Sequence, residues 1–249
     1  MDLKYWLGFL SEWLGVAAVV MIAGISPMLK NIRRIEFRYP KREATYSLSL
    51  FALSYLIGFQ YFSNSIFDFL RNLADYFGGS ELAQRMILAV ACLILFLLAT
   101  ILRGQPLKSI GWGKANLKAG AITGFLMVVL IIFLRGKFST LLHGVTPEQG
   151  SLLLVWMLLA LAEETIFRGY IQLRLTSYWG GTWGWLATVA LYMLWQLPGR
   201  LWILSFAEMC PTLLISLVQA LLLGWIMKKS GHVLAPALYR ALAGWLLLI

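Results

Sequence analysis

The 249 residues are 60% hydrophobic and only 13% charged, with a mean hydropathy of +0.78. Soluble domains carry about twice that share of charge, so an ordinary water-soluble fold is excluded. The net charge of +10 would by itself admit a nucleic-acid partner, but its placement along the chain answers to a bilayer instead.

Runs at 13–29, 44–67, 86–102, 119–134, 149–162, 175–199, 209–227 and 241–249 contain no Asp, Glu, Lys or Arg. Most approach the roughly 20 residues that cross a bilayer as a helix. Helices are the economical solution because lipid offers no partner to a free backbone amide. The predicted fold is therefore all-α: a polytopic integral membrane protein, a bundle of about eight transmembrane helices, with no separate soluble domain.

The first crossing is predicted over residues 5–29, where Ser26-Pro27 marks its end. One lysine precedes it and "SPMLKNIRRIEFR" offers no small-residue cleavage site, which separates it from a signal peptide. A basic loop leads to the second crossing, 44–67. Residues 68–85 place Phe69, Leu70, Leu73 and Phe77 at helical spacing, as a short interfacial helix would. The third crossing covers 86–102, and "RGQPLKSIGWGKANLK" forms a turn before the fourth, 117–134. "RGKFSTLLHGVTPEQG" returns the chain to the fifth, 151–175. "TSYWGGTWG" turns it into the sixth, 183–197, which "PGR" ends. The seventh, 203–227, is joined to the eighth, 232–249, by "KKSG". Three crossings gain their length only by including an ionisable group: Glu163 and Glu164 in the fifth, Glu208 in the seventh and Arg240 in the eighth.

Charge placement gives an orientation. Lys30, Arg33, Arg34, Arg38, Lys41, Arg42, Arg103, Lys108, Lys114, Lys118, Arg168, Arg174, Lys228 and Lys229 fall toward one face. Lys4, Arg71, Arg85, Arg135, Lys137 and Arg200 fall toward the other. The positive-inside rule makes the first face cytoplasmic and puts both termini on the non-cytoplasmic side. No nucleic acid is needed to explain the basic loop, and anionic lipid headgroups are compatible with it. Trp6, Trp13, Trp112, Trp179, Trp183 and Trp202 lie near predicted helix ends as an aromatic belt. Cys92 and Cys210 read as small core hydrophobes.

The segment "LLALAEETIFRGYIQLRL" sets Glu163 and Glu164 side by side within an apolar crossing, with Arg168 four residues on. Acidic groups at a helix centre cost roughly 2.5 to 3.5 kcal/mol each on insertion scales, and such residues are functional by default. Glu164 and Arg168 are i, i+4 neighbours able to pair, while Glu163 points about 100° away. A carboxylate left without a partner there has the character of a general base or acid; the alternative is an ion-pair staple between helices. Elsewhere, Glu208 reads as a solvated charge, His232 as a polar cap, and Gln219 as an interhelical hydrogen-bonding group.

"EETIFRGY" resembles the E-E-x-x-x-R signature of the CPBP (Abi) family, which includes the type II CAAX prenyl endopeptidases. "LKSIGWGKANLKAGAITGFLM" resembles the family's preceding loop and helix, and "KSGHVLAPALYRALAGWLLL", with its Ala235-Pro236 step, resembles the last conserved helix. The likeness covers 105–249, a CPBP-like core; residues 1–104, with crossings one to three, are generic. It implies an eight-helix bundle with an intramembrane site open toward the cytosol, where a glutamate activates water with help from a metal or by direct polarisation. Carried over, Glu163, Glu164 and Arg168 keep the catalytic motif. The family's F-x-x-x-H falls on Tyr192 and Gln196, and its H-x-x-x-N on Arg240 and Gly244, so both histidines and the asparagine are replaced. The resemblance is to a degenerate member.

Zinc takes His, Cys or carboxylate ligands, and an arginine cannot ligate. Only two histidines exist: His143 lies in a loop, and His232 is about 12 Å along the helix from position 240. The sequence thus predicts no metal and no cofactor, with zinc the alternative if peptidase activity persists. Two glutamates with Arg168 and Arg240 sum to zero charge, and an arginine at a metal position would pair with the carboxylates the cation once held. Gln196 is expected at the edge of that network. Three functional classes follow: a non-catalytic homologue that binds, assembles or stabilises other integral membrane proteins; a glutamate-dependent intramembrane endopeptidase; and a transporter or proton relay. Bacterial plasma membrane and internal photosynthetic membrane both suit such a chain, and membrane lipids are partners in every case.

Overall fold

The computed structural model describes residues 3–26, 32, 35–63, 67–201 and 204–249, with the side chains of 3–5 not included. Lys30, Arg33, Arg34 and Trp202, the side chain of Lys4, and the predicted boundaries at 29 and 203 therefore lie outside the described residues. Within them the chain is helical throughout. Its helices are α1 (Leu3–Ile25), α2 (Pro40–Ser63), α3 (Asp68–Asp75), α4 (Glu81–Leu102), α5 (Lys114–Leu134), α6 (Phe138–Leu142), α7 (Pro147–Glu164), α8 (Leu173–Trp179), α9 (Trp183–Leu201), α10 (Phe206–Ser230) and α11 (Leu234–Trp245). A π-helical segment, Thr165–Gln172, joins α7 to α8 without a break. The result is an all-α, multi-pass membrane protein.

Among the described residues, five stretches are long and apolar enough to cross a bilayer: Trp6–Ile25, Glu81–Leu102, Leu107–Leu134, Pro147–Trp179 and Phe206–Ser230. The second, sixth and eighth predicted crossings fall short of that measure for identifiable reasons. The second, α2, begins four residues early, at Pro40, an N1-type start, and its charge-free stretch 46–63 is diluted by serines, tyrosines and Gln60. The sixth, α9, carries Gln196 and Arg200 and runs through Pro198 to Leu201 rather than ending at "PGR". A proline removes one amide donor but tolerates continuation where neighbours absorb the kink. The eighth, α11, has 12 helical residues, about 18 Å at 1.5 Å each.

The continuous helix Pro147–Trp179 is the axis of the bundle. Helices α4 and α11 pack on its first part and α2 and α9 on its end, while α11 also packs on α5 and α1 closes over α5. The axis starts with a capping box in which Thr146 and Gln149 satisfy each other's backbone amides. The predicted interfacial helix is shorter than 68–85. It spans Asp68–Asp75 with Phe69 and Leu73 exposed, and after glycines 78 and 79 the chain restarts at Ser80, which caps α4. Cys92 is buried as expected, but Cys210 is exposed, because the opening turns of α10 lie at the periphery.

The turn 107–113 is pressed into the axis. Gly111 has φ +82°, a left-handed conformation that favours glycine, and its carbonyl accepts from Val233 N at the start of α11. Trp112 Nε1 donates to Thr165 Oγ1 at 3.1 Å. At Gly169 a Cβ would stand 2.2 Å from the Ile110 carbonyl oxygen, so this approach requires glycine. Ile110, Ile166, Phe167 and Tyr170 fill the space beneath.

Two buried ion clusters clamp opposite ends. Near the termini, Glu12 accepts from Arg135 Nε at 2.8 Å and from Tyr239 at 3.1 Å, tying α1 to α5 and α11. At the other end Glu43 accepts from Arg103, from Gln105 at 3.0 Å and from Arg174 at 3.2 Å. Arg174 is fully buried, so a residue counted for orientation is also a structural cation. Burial pushes the Glu43 carboxyl upward, but the hydrogen bonds and charges of Arg103, Gln105 and Arg174 outweigh it and hold its pKa below the usual carboxylate value. The stabilisation is therefore complete above the unfolded value of about 4.3 and is lost only as pH falls through the lower folded value. Glu43→Gln leaves Arg174 buried without its counter-charge. We expect a loss of about 3 kcal/mol, the low end for breaking a buried pair, read as a lower melting temperature in detergent at pH 7. The difference from the parent should shrink on acidification below about pH 4. A constant difference down to pH 3 would remove Glu43 as the titrating group.

Candidate functional site

The axis helix carries Glu163 and Glu164 at its centre, at the junction of α-helical and π-helical turns, a kind of irregularity frequent at functional sites. Both are buried, as is Arg168. Arg240, from the middle of α11, reaches across with one nitrogen to each glutamate. Its Nη1 donates to Glu164 Oε1 at 2.9 Å and its Nη2 to Glu163 Oε2. Arg168 Nε faces Glu164 Oε2 at 3.2 Å as an ion pair without the alignment of a hydrogen bond. Its Nη2 donates to the Ala220 carbonyl of α10 at 3.3 Å. The four charges are balanced, and they join the axis to α11 and α10.

The aromatic face of α9 completes the surround. Tyr192 donates to Glu163 Oε2 at 3.3 Å and Trp195 Nε1 to Glu163 Oε1 at 3.0 Å. The Tyr192 ring lies under two guanidiniums, 4.5 Å from Arg168 and 5.3 Å from Arg240, a cation–π arrangement that offsets part of the cost of burying them. Glu163 thus accepts three hydrogen bonds, about three-quarters of a carboxylate's lone-pair capacity.

Gln196 is not hydrogen-bonded to either glutamate. It points one turn further out and accepts from Arg85 at 2.6 Å and Arg200 at 3.4 Å. It lies with them in a cavity of about 220 Å³ that also reaches Glu163 and Arg240. This cavity extends toward the end of the bundle that bears the termini: Arg85 is in the second turn of α4, Arg200 in the last turn of α9, and Leu247 follows α11. The opposite end of the bundle is the one that bears the basic loop after α1 and the turn after α4. On that side the packed Ile166, Phe167 and Tyr170 and the loop at Ile110 occupy the room.

Gly244 borders the same cavity, and its missing side chain is replaced by a neighbour. A Cβ there would lie 2.5 Å from Trp156 Cε3 and Cζ3, so the indole stands where an asparagine side chain would go. Among the described residues no three His, Cys, Asp or Glu side chains gather. His143 is exposed in a loop, and His232 is buried at the start of α11, accepting from Leu234 N at 3.0 Å. A zinc ion does not fit this donor set: two carboxylates already joined by an arginine, a glutamine turned away, and a filled glycine position.

Of the residues singled out in the sequence, Glu163, Glu164, Arg168, Tyr192 and Arg240 come together, while Gln196 and Gly244 lie beside them. Trp195, Arg85 and Arg200 were missed. Trp195 carried a signal, since it stands three residues after Tyr192 and shares its helix face. Arg85 is brought in from a distant helix, and nothing in its local sequence marks it. Glu208 is exposed and completes a capping box with Ser205. Gln219 lines the cavity without forming a hydrogen bond among the described residues.

Residues 148–246, which hold all of these groups except Arg85, match the family model described as type II CAAX prenyl endopeptidase Rce1-like. No curated protein and no solved structure matches the chain.

Proposed function

Because its segment 148–246 belongs to the Rce1-like family of type II CAAX prenyl endopeptidases, we propose that this protein is a member whose hydrolytic site has become a structural one. It acts as a membrane-embedded binding, assembly or complex-subunit protein for other integral membrane proteins. The observation that carries this reading is Arg240, bonded to both glutamates at once. A cation is already supplied to the carboxylates by the chain itself. Gly244, backed by Trp156, removes a further ligand position. The bundle then presents lipid-exposed apolar helices to partners, with the termini on the non-cytoplasmic face of a bacterial plasma membrane or an internal photosynthetic membrane, as the distribution of Lys and Arg supports.

Metal-free hydrolysis with Glu163 as base is the competing reading, favoured by one observation: Glu163 lines the cavity. Metal content and peptide cleavage decide between them. Zinc and other transition metals are quantified in the detergent-purified protein beside Glu163→Ala, and both are incubated with a prenylated peptide ending in a CAAX sequence. We expect neither bound metal nor cleavage in either. About one metal per chain, lost in the variant, would restore the metallopeptidase reading. Cleavage without metal that Glu163→Ala abolishes would establish the glutamate mechanism.

A further inference from the structure

Two guanidiniums converge on one neutral oxygen in the cavity beside the glutamates. Gln196 Oε1 accepts from Arg85 at 2.6 Å and from Arg200 at 3.4 Å. Arg200 also donates to Ser216 Oγ at 2.7 Å, but its Nη1 is buried without a hydrogen-bond partner among the described residues. No carboxylate among those residues pairs with Arg200. Arg85 has only the half-exposed Glu81, at 3.9 Å. The quartet of Glu163, Glu164, Arg168 and Arg240 is neutral within itself, so these two cations are left with the longer-range charges of Glu163 and Glu81 and with no hydrogen-bonded carboxylate among the described residues. An amide oxygen accepts hydrogen bonds but brings no charge, and the cost of holding two partly desolvated guanidiniums together is left largely uncompensated.

We propose that this cavity is a binding site for the anionic headgroup of a membrane lipid, with its phosphate between Arg85 and Arg200. Ser216, already bonded to Arg200, and Gln219 line the same cavity as further hydrogen-bonding groups. Arginine is suited to such an oxyanion because its planar fork can donate two parallel hydrogen bonds. Position agrees: Arg85 in the second turn of α4 and Arg200 in the last turn of α9 lie near helix ends, where a headgroup can reach them. Size agrees as well. The cavity of about 220 Å³ equals roughly seven waters at about 30 Å³ each, room for a phosphate and not for acyl chains. The chains would lie outside, along the exposed Leu214, Leu217 and Leu247. The site stands whether or not the glutamates hydrolyse anything.

The test uses the full chain in phosphatidylcholine nanodiscs containing a minority of phosphatidylglycerol, with retained lipid read by native mass spectrometry and affinity by titration. Phosphatidylglycerol should be retained over phosphatidylcholine. Arg200→Gln and Arg85→Gln should each weaken it at least tenfold, as expected when a charge-assisted hydrogen bond is removed. Lys228→Gln with Lys229→Gln, at the opposite end of the bundle, should leave it unchanged. Arg85 is partly exposed, so its variant tests the site even where Arg200→Gln fails to fold; circular dichroism and size-exclusion profiles check each. Unaltered retention in Arg85→Gln, or a loss that follows Lys228 and Lys229, overturns the proposal. Inorganic phosphate binding as tightly as the lipid would make this a free-anion site. A peptide carboxyl terminus displacing the lipid at lower concentration would make it a peptide site. Either result defeats the lipid assignment.

Discussion

Arg240→Gln is expected to lower the stability of the bundle by about 3 to 5 kcal/mol, the cost of removing one partner from a buried charge pair. In a domain of this size that corresponds to a fall in melting temperature on the order of 10 °C. The reasoning is local. Arg240 donates to Glu164 at 2.9 Å and also to Glu163, and without it the two adjacent buried carboxylates keep one close ion pair, to Arg168, and only the longer-range charge of Arg85. Glu163→Gln alone errs in the other direction, leaving two arginines to one carboxylate. The combination of Glu163→Gln with Arg240→Gln restores neutrality and keeps amides able to bond with Tyr192 and Trp195. Its melting temperature should therefore exceed that of Arg240→Gln, with a coupling of about 2 kcal/mol or more in the double-mutant cycle. Additive losses would show that Arg240 and Glu163 act independently, and the staple would lose its basis. This cycle separates structure from catalysis, since a catalytic glutamate paired to a dispensable arginine would show no such rescue.

The parts of this site that could be read in advance are those where one helix reports on itself. Glu163, Glu164 and Arg168 were legible because charge within an apolar run is costly and because i, i+4 spacing fixes a pair. Arg240 was legible through the family resemblance, which set it at a motif position, and through charge balance with the two glutamates. The π-helical turn at Thr165–Gln172 left no trace in composition, since it follows from a tertiary contact, the Ile110 carbonyl against Gly169. Arg85 and Arg200 were read as loop-end charges because their meeting at Gln196 depends on how α4 and α9 converge. Five of the eight predicted crossings meet the measure of length and hydropathy among the described residues. Helices α2, α9 and α11 spend their polar residues on inner faces, at Glu43, Gln196 and Arg240, and an uncharged-run count sees only the residues between. Family likeness supplied what pattern could not, the alignment of Tyr192, Gln196, Arg240 and Gly244 with positions of the family's motifs.

The second large effect is expected at Gly244. Replacing it with asparagine, the residue type at that place in the family motif, should destabilise the protein by more than about 3 kcal/mol, the upper range for overpacking. The Cβ alone would stand 2.5 Å from Trp156 Cε3 and Cζ3 and 2.6 Å from Cη2. An indole is rigid and cannot yield as the end of a flexible chain would. Trp156 is itself wedged between two clusters, one with Ala243 and Leu246, the other with Val155 and Leu159. Trp156→Leu loses burial, so alone it should also destabilise, yet it opens the space the asparagine needs. The double variant should therefore melt above Gly244→Asn. The comparison is made by melting temperature in one detergent, with size-exclusion profiles to confirm that each variant is monodisperse. Gly244→Asn at the parental melting temperature would mean that the position is open, and a ligand there would again be possible. The expected clash, relieved only by shrinking Trp156, would instead mean that the core is packed against any side chain at position 244, which substitution at that position alone cannot reverse.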